Sequence, residues 1–269
     1  MEQQHGKLII MRHGESIWTD KTVNRFAGWV DIPLTAHGEQ QAAHAASLLA
    51  ASGLKPDALL TSVLRRSIHT ADIVLDAIDR LWIPVERSWR LNERHYGAFQ
   101  GQTRPAMRDR YGEELFNTYR RSFDVRPPEI DEDSPYFQGL DPRYSAMFSD
   151  GLDALDPAGI RSECLKDVWI RLRPLWDGRV LPLLSSGKTV LIVTHGSVVR
   201  SVVKELEHVS DADIRSINVP TGVPMMYDFA VGDDGRPEVL GKGIYLDPEA
   251  AARGIADTNA LGSAEAPRS

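Results

Sequence analysis

Apolar positions along this chain recur with two different periods, and the switch between them marks out the elements. Lys7 to Met11 (KLIIM) is a nearly continuous apolar run that ends abruptly on Arg12, His13 and Gly14, as expected of a strand covered on both faces. Thr35 is placed to cap the next helix, where Ala42, Ala45, Ala46 and Leu49 recur at helical spacing until Gly53. Asp57 to Thr61 (DALLT) predicts a short strand, and Leu64, Ile68, Ala71, Leu75 and Ile78 form the apolar stripe of a second helix. Ile83 to Glu86 is a further candidate strand. After Leu91 comes a polar loop, NERHYGAFQGQTR, and Pro105 then opens a segment of helical character that reaches about Phe123.

Asp124 to Gly159 has another texture. It is rich in Pro, Asp and Gly and shows little periodicity, which predicts a long excursion packed on the surface. Loops of this length are uncommon in compact domains and often lie over an active site. Leu165, Val168, Trp169, Leu172 and Trp176 resume a helical stripe, with a kink expected at Pro174. Thr189 to Val193 predicts another buried strand, followed by a helix starting near Ser197. Strands alternating with helices predict an α/β fold with a mainly parallel sheet and helices on both faces. Residues 1–250 read as one domain carrying the excursion at about 124–160. Residues 251–269, rich in Ala, Gly and Asp, are expected to be a flexible tail.

Composition narrows the class. The chain has 269 residues, 42% of them hydrophobic and 26% charged, enough apolar material for a large core. No apolar run reaches the ~18 residues of a membrane span, and the N-terminus lacks the layout of a secretory signal. The single cysteine, Cys164, cannot form an internal disulfide and reads as a small core residue, which fits a cytoplasmic location. A net charge of −7 argues against nucleic-acid binding. It leaves room for a small anionic substrate, because clustered arginines can set the field inside a cleft.

The chemistry collects at strand ends. KLIIMRHG and TVLIVTHG each deliver a His-Gly pair at the carboxyl end of a strand, where open α/β sheets bind ligands. Neutral imidazole is a nucleophile, and Arg12 beside His13 favours that neutral form. Arginine also grips phosphate oxygens with its planar fork, so His13 is poised to attack a phosphoryl group while His195 donates to its oxygens. Glu93 in LNERHYG is a candidate acid/base whose pKa would rise beside phosphate oxygens. Arg65 and Arg66, and likewise Arg120 and Arg121, are phosphate ligands only if the fold brings them to the strand ends. A metal site assembled from His13, Glu93, His95 and His195 matches no compact ligand spacing, and Arg12, Arg66 and Arg94 would repel a dication.

RHGES, TSVLRRS, LNERHYGAFQG, YGEELFNTYRRSFDV, THGSVVR and INVPTGVPMMYDF, in this order from Leu8 to Phe229, resemble the 2,3-bisphosphoglycerate-dependent phosphoglycerate mutases of the histidine phosphatase superfamily. RHG alone points only to the superfamily; LNERHYG, YRRSFDV and PTGVP are narrower. The resemblance implies the histidine phosphatase (phosphoglycerate mutase-like) fold, a homodimer or homotetramer, and no metal. It implies ping-pong interconversion of 3-phosphoglycerate and 2-phosphoglycerate, with 2,3-bisphosphoglycerate priming a phosphohistidine on His13. By the same resemblance Arg12, Arg66 and His195 hold the phosphoryl group and Glu93 is the acid/base. Ser16, Tyr96, Arg120 and Arg121 join them in binding substrate, with backbone near Gly28 and Gly196. Four pocket positions depart from the family: Thr19 stands for Asn, Ala27 for Ser or Thr, Arg104 for Lys and Ser197 for Asn, and two extra residues precede NRFAGW. Each lost hydrogen bond to a charged group would cost about 1.5–3 kcal/mol, roughly tenfold to a hundredfold in binding. The altered shell therefore leaves three alternatives open: a paralogue acting on a related phosphorylated or phosphonate hydroxy acid, a phosphohistidine phosphatase, and a silent phosphate-binding module.

Overall fold

A computed structural model of the chain describes residues 5–232 and 235–263, with side chains to Asn259. The elements in chain order are β1 (His5–Arg12), α1 (Ala36–Ala51), β2 (Ala58–Thr61), α2 (Arg65–Ala77), β3 (Val85–Arg87), α3 (Arg104–Tyr111), α4 (Glu113–Arg121), α5 (Leu165–Leu175), α6 (Leu181–Ser185), β4 (Thr189–Thr194), α7 (Gly196–Leu206), β5 (Met225–Val231), β6 (Pro237–Val239), β7 (Ile244–Tyr245) and α8 (Pro248–Ser263). The sheet runs β3-β2-β4-β1-β5-β6, with β7 also on β5. β3, β2, β4 and β1 pair in parallel; β5 returns antiparallel to β1 and carries β6 and β7 antiparallel. This is the expected histidine phosphatase fold, a mostly parallel sheet with an antiparallel edge.

Alternation along β1 explains why it is apolar throughout. Leu8 and Ile10 face the cluster made with Val190, Ile192, α5 and α7. Ile9 and Met11 face the opposite cluster with Ala45, Leu49, Ala71 and Val74 of α1 and α2. None of the four retains more than 1% exposure, and burying each such side chain contributes about 1.5–3 kcal/mol. The register is then fixed: Met11 sits beside Val193 and Arg12 beside Thr194.

The structure departs from the sequence reading at several points. The helix expected from Pro105 to Phe123 is two helices, broken at Gly112, whose φ of 75° ends α3. The strand expected over 83–86 is shifted to Val85–Arg87. Pro174 lies within α5, and the irregularity follows it as a wider π turn at Trp176–Val180. The stretch expected to be a flexible tail from 251 is instead helical to Ser263; residues 264–269 lie outside the described residues. Pro248 opens α8, the Asp247 carboxylate accepts from the Ala250 amide (2.8 Å), alanines favour the helix, and Ala251 is buried. The 124–160 segment contains only short 3₁₀ turns. It is tied to the body by buried Ile130 and Tyr144 and by Arg90, which pairs with Asp150 and Asp153.

Two glycines let β1 exit under α1. A Cβ on Gly14 would meet the Gly38 carbonyl oxygen at 2.1 Å, and one on Gly38 would meet the Glu15 carbonyl oxygen at 2.0 Å. Both contacts are with backbone, which cannot swing aside. Gly38→Ala is therefore expected to destabilise the protein by about 1–3 kcal/mol, read as a lower midpoint in urea at unchanged slope.

Candidate active site

The parallel pairing of β1 and β4 brings His13 and His195 together. The His13 amide donates to the Thr194 carbonyl (2.8 Å), and the two imidazole rings meet edge to face with centroids 4.8 Å apart. His13 Nδ1 lies 2.6 Å from its Gly14 neighbour's carbonyl oxygen, so that nitrogen carries the proton. Nε2 then carries the lone pair, and Arg66 Nε donates to it (3.2 Å). The rest of the Arg66 guanidinium donates to the Gly28 carbonyl (2.7 Å) and the Val30 carbonyl (2.8 Å). On His195, Nε2 lies 2.8 Å from Ser62 Oγ, which already accepts from the Leu64 amide. Ser62 Oγ has a second lone pair, so either group can donate; with the hydroxyl donating to Nε2, Nδ1 carries the ring's N–H. Nδ1 is buried with no partner among the described residues.

A cavity of about 80 Å³ opens beside His13. Its walls are Arg12, Arg66, Arg104, Arg120, Arg121 and Arg200, with Thr19, Ala27, Gly28, Glu93, Tyr96, Gly196, Ser197, Asn218, Val219 and Thr258. Glu93 is the one carboxylate among the described lining residues. Burial drives both histidines well below the ordinary imidazole pKa, and Arg66 and Arg12 push the same way. Burial also lowers Arg66 and Arg104 to about 10. Burial pushes Glu93 up, but hydrogen bonding from Ser197 and from the Arg94 amide, together with Arg12 and Arg66, carries it below its ordinary value. The upward shift expected from the sequence supposed phosphate oxygens nearby; the protein's own groups act in the opposite direction.

Secondary structure aims each of these groups. Gly196 and Ser197 begin α7, so the Ser197 amide at its positive end donates to Glu93 Oε1 (3.1 Å). Arg120 and Arg121 end α4, held by Arg94, which donates to the Tyr119 and Arg120 carbonyls and lies over the Tyr96 ring. Arg121 is fixed by the Asn218 side-chain oxygen, and Arg120 reaches the Thr258 carbonyl of α8 (3.5 Å). Arg104 stacks on Phe26 and donates to Asn24 Oδ1 (2.8 Å). The Nε–H groups of Arg12, Arg94, Arg104 and Arg200 are buried without an acceptor among the described residues.

Most sequence-derived candidates converge, with two exceptions. Ser16 does not line the cavity; it is buried, and its hydroxyl lies 3.0 Å from Thr19 Oγ1. Thr19 does line it, but its hydroxyl accepts from the Ser16 amide and donates to the Ser16 carbonyl. His195 stands behind His13, outside the lining itself. Of the paired arginines only Arg66 is buried; Arg65 faces solvent. Arg200, Asn218, Val219 and Thr258 were not foreseen. Arg200 follows Gly196 at i+4, a spacing that places it on the same helix face. Thr258 carries no signal in the sequence.

His95, set aside as a metal ligand, is instead a neutral core residue. The Gly97 amide donates to its Nδ1 (3.1 Å), Nε2 lies 2.9 Å from Gln138 Oε1, and burial lowers its pKa to about 4. An unfolded chain would protonate this ring from about pH 6.5 downward, whereas the folded chain resists until about pH 4. Stability present above pH 6.5 is thus lost as pH falls through that window, by about 3 kcal/mol from His95 alone, and buried His13 and His195 act in the same direction. Urea midpoints measured between pH 7 and pH 4.5 should fall steeply, and less so in His95→Asn.

Comparison with known proteins agrees with this geometry. The histidine phosphatase superfamily (branch 1) profile matches residues 8–153 and 138–233. The chain is 48% identical over 259 residues to the 2,3-bisphosphoglycerate-dependent phosphoglycerate mutase of Corynebacterium kroppenstedtii, covering 96% of this chain and 99% of that one. It is 51% identical over 256 residues to the enzyme of that name from Clavibacter michiganensis, covering 95% and 97%. Among solved structures, the native mycobacterial glucosyl-3-phosphoglycerate phosphatase superposes with a TM-score of 0.63 at 20% identity, over 88% of this chain and 97% of that one, a likeness of fold.

Proposed function

The chain belongs to the histidine phosphatase superfamily, branch 1, and within it to the 2,3-bisphosphoglycerate-dependent phosphoglycerate mutases; from this premise we infer that it interconverts 3-phosphoglycerate and 2-phosphoglycerate through a phosphohistidine and a bisphosphoglycerate intermediate. The observation that carries the reading is the pairing of a neutral His13 Nε2 with a cavity of arginines that holds a single carboxylate, Glu93.

His13 Nε2 attacks phosphorus as the bond to the substrate oxygen breaks. Arg12, Arg66 and the His195 Nδ1–H meet the charge on the three phosphoryl oxygens. Glu93, held as a carboxylate, takes a proton from the hydroxyl that attacks phospho-His13 and returns it to the oxygen that departs when the other phosphoryl group moves to His13, so proton and phosphoryl group cross in opposite directions. Tyr96, Arg104, Arg120 and Arg121 bind the carboxylate and the far phosphate. Arg200 and Asn218 support that end. Unpaired buried N–H donors on Arg12, Arg104 and Arg200 suit a doubly phosphorylated acid, and 2,3-bisphosphoglycerate supplies the first phosphoryl group. A site so rich in guanidinium has no use for a dication, and we assign no metal. Among the described residues no helix is long and apolar enough to cross a membrane. A cytoplasmic enzyme acting on a small anion, with no nucleic-acid or membrane partner, fits these features.

Phosphorus NMR of either isomer with trace 2,3-bisphosphoglycerate should show interconversion. His13→Ala should abolish it, and Glu93→Gln should lower kcat by about 10²–10⁴. No interconversion by the native chain would sink the reading.

A homo-oligomer is supported by the sheet edge. Among the described residues β3 pairs only with β2, and beside it Leu81, Trp82 and Val85 are 58%, 71% and 37% exposed. Native protein should sediment as a multiple of 29.9 kDa, and Trp82→Glu should shift it toward the monomer.

A further inference from the structure

The loop that carries Glu93 is held from beneath by a buried ion pair with no direct part in the chemistry. Arg171 of α5 and Glu163, just before that helix, retain 1% and 2% exposure. Arg171 Nε donates to Glu163 Oε1 (2.6 Å), and Nη2 donates to Oε2 (3.2 Å). The same guanidinium donates from Nη2 to the Asn92 carbonyl (2.8 Å) and the Glu93 carbonyl (3.0 Å), and from Nη1 to the Arg90 carbonyl. Glu163 Oε2 accepts from the His95 amide (2.8 Å), and the Glu163 amide donates to the His95 carbonyl (2.9 Å). The backbone is thus gripped immediately before, at and after Glu93.

We propose that the Arg171–Glu163 pair is the positioning device for Glu93, setting where its carboxylate meets the substrate hydroxyl. Two features favour this over a purely structural role. A buried ion pair gains little net stability over apolar packing, because both charges lose their hydration. And the backbone partners of this pair are concentrated on one loop: the Arg90, Asn92 and Glu93 carbonyls accept from Arg171, and the His95 amide donates to Glu163. From there the geometry passes to the carboxylate, whose Oε1 accepts from the Arg94 and Ser197 amides (2.8 and 3.1 Å). If the loop shifts, those bonds lengthen, and the influences that keep Glu93 ionised weaken with them.

The proposal rests on Glu93 being the proton-transfer group, so Glu93→Gln is the control. Arg171→Lys keeps the charge but replaces the planar fork with a point donor that cannot serve the same set of acceptors. Glu163→Asp keeps the charge but is too short to hold the guanidinium and the His95 amide together. Each variant should lower mutase kcat by about tenfold to a hundredfold with KM changed less than about threefold, as a misplaced proton-transfer group does. Each should also move the acidic limb of the kcat–pH profile upward as Glu93 loses its amide donors. A merely structural pair would reduce the active fraction and scale kcat without moving the limb. That outcome, or native kcat in both variants, overturns the proposal. If one variant fails to fold, the other is read alone. Native kcat in Glu93→Gln would instead sink the assignment of Glu93 itself.

Discussion

The parallel register of β1 against β4 is the constraint on which the site depends. With Arg12 opposite Thr194, both chains leave the sheet at the same level, and each next residue is a histidine. Each continues into a glycine. Gly14 lets the chain pass under the first turn of α1, and Gly196 opens α7 so that its amides face the cavity. A slip of one residue would turn Leu8, Ile9, Ile10 and Met11 to the wrong clusters, so the packing that stabilises the fold also fixes the distance between the imidazoles.

Around that pair the molecule does something costly. It gathers guanidinium groups where water is scarce and leaves several of their N–H donors without protein acceptors. Burial, Arg121 and Arg104 together push Arg120 well below the ordinary arginine pKa. Burial, with Arg66 and Arg12, lowers the pKa of both imidazoles, and those arginines help to keep Glu93 ionised, so one arrangement sets the protonation of His13, His195 and Glu93.

Much of this was legible in the residues. β1 and β4 announced themselves as apolar runs ending in His-Gly, and the motif set from Leu8 to Phe229 named the family. Tertiary context decided what remained hidden. The Thr19 hydroxyl reads as a replacement ligand, yet it is taken up locally by Ser16, because an isolated pairing of Ser16 with Leu34 holds that turn. α8 was missed because alanine-rich composition does not distinguish an unpacked tail from a helix whose small residues dock closely. Its contribution, the Thr258 carbonyl to Arg120 and Asn259 to Asn218, depends on long-range docking that no local pattern encodes.

β1 is paired along both edges, by β4 and β5, and is closed on both faces by helices. Amides in such a strand exchange their hydrogens with solvent only when most of the molecule opens, whereas helices at the periphery can detach by smaller fluctuations. His13 therefore directly follows a strand that local openings are expected to reach last. The far wall, borrowed from α4 and α8, can loosen and re-form many times without the imidazole losing its place.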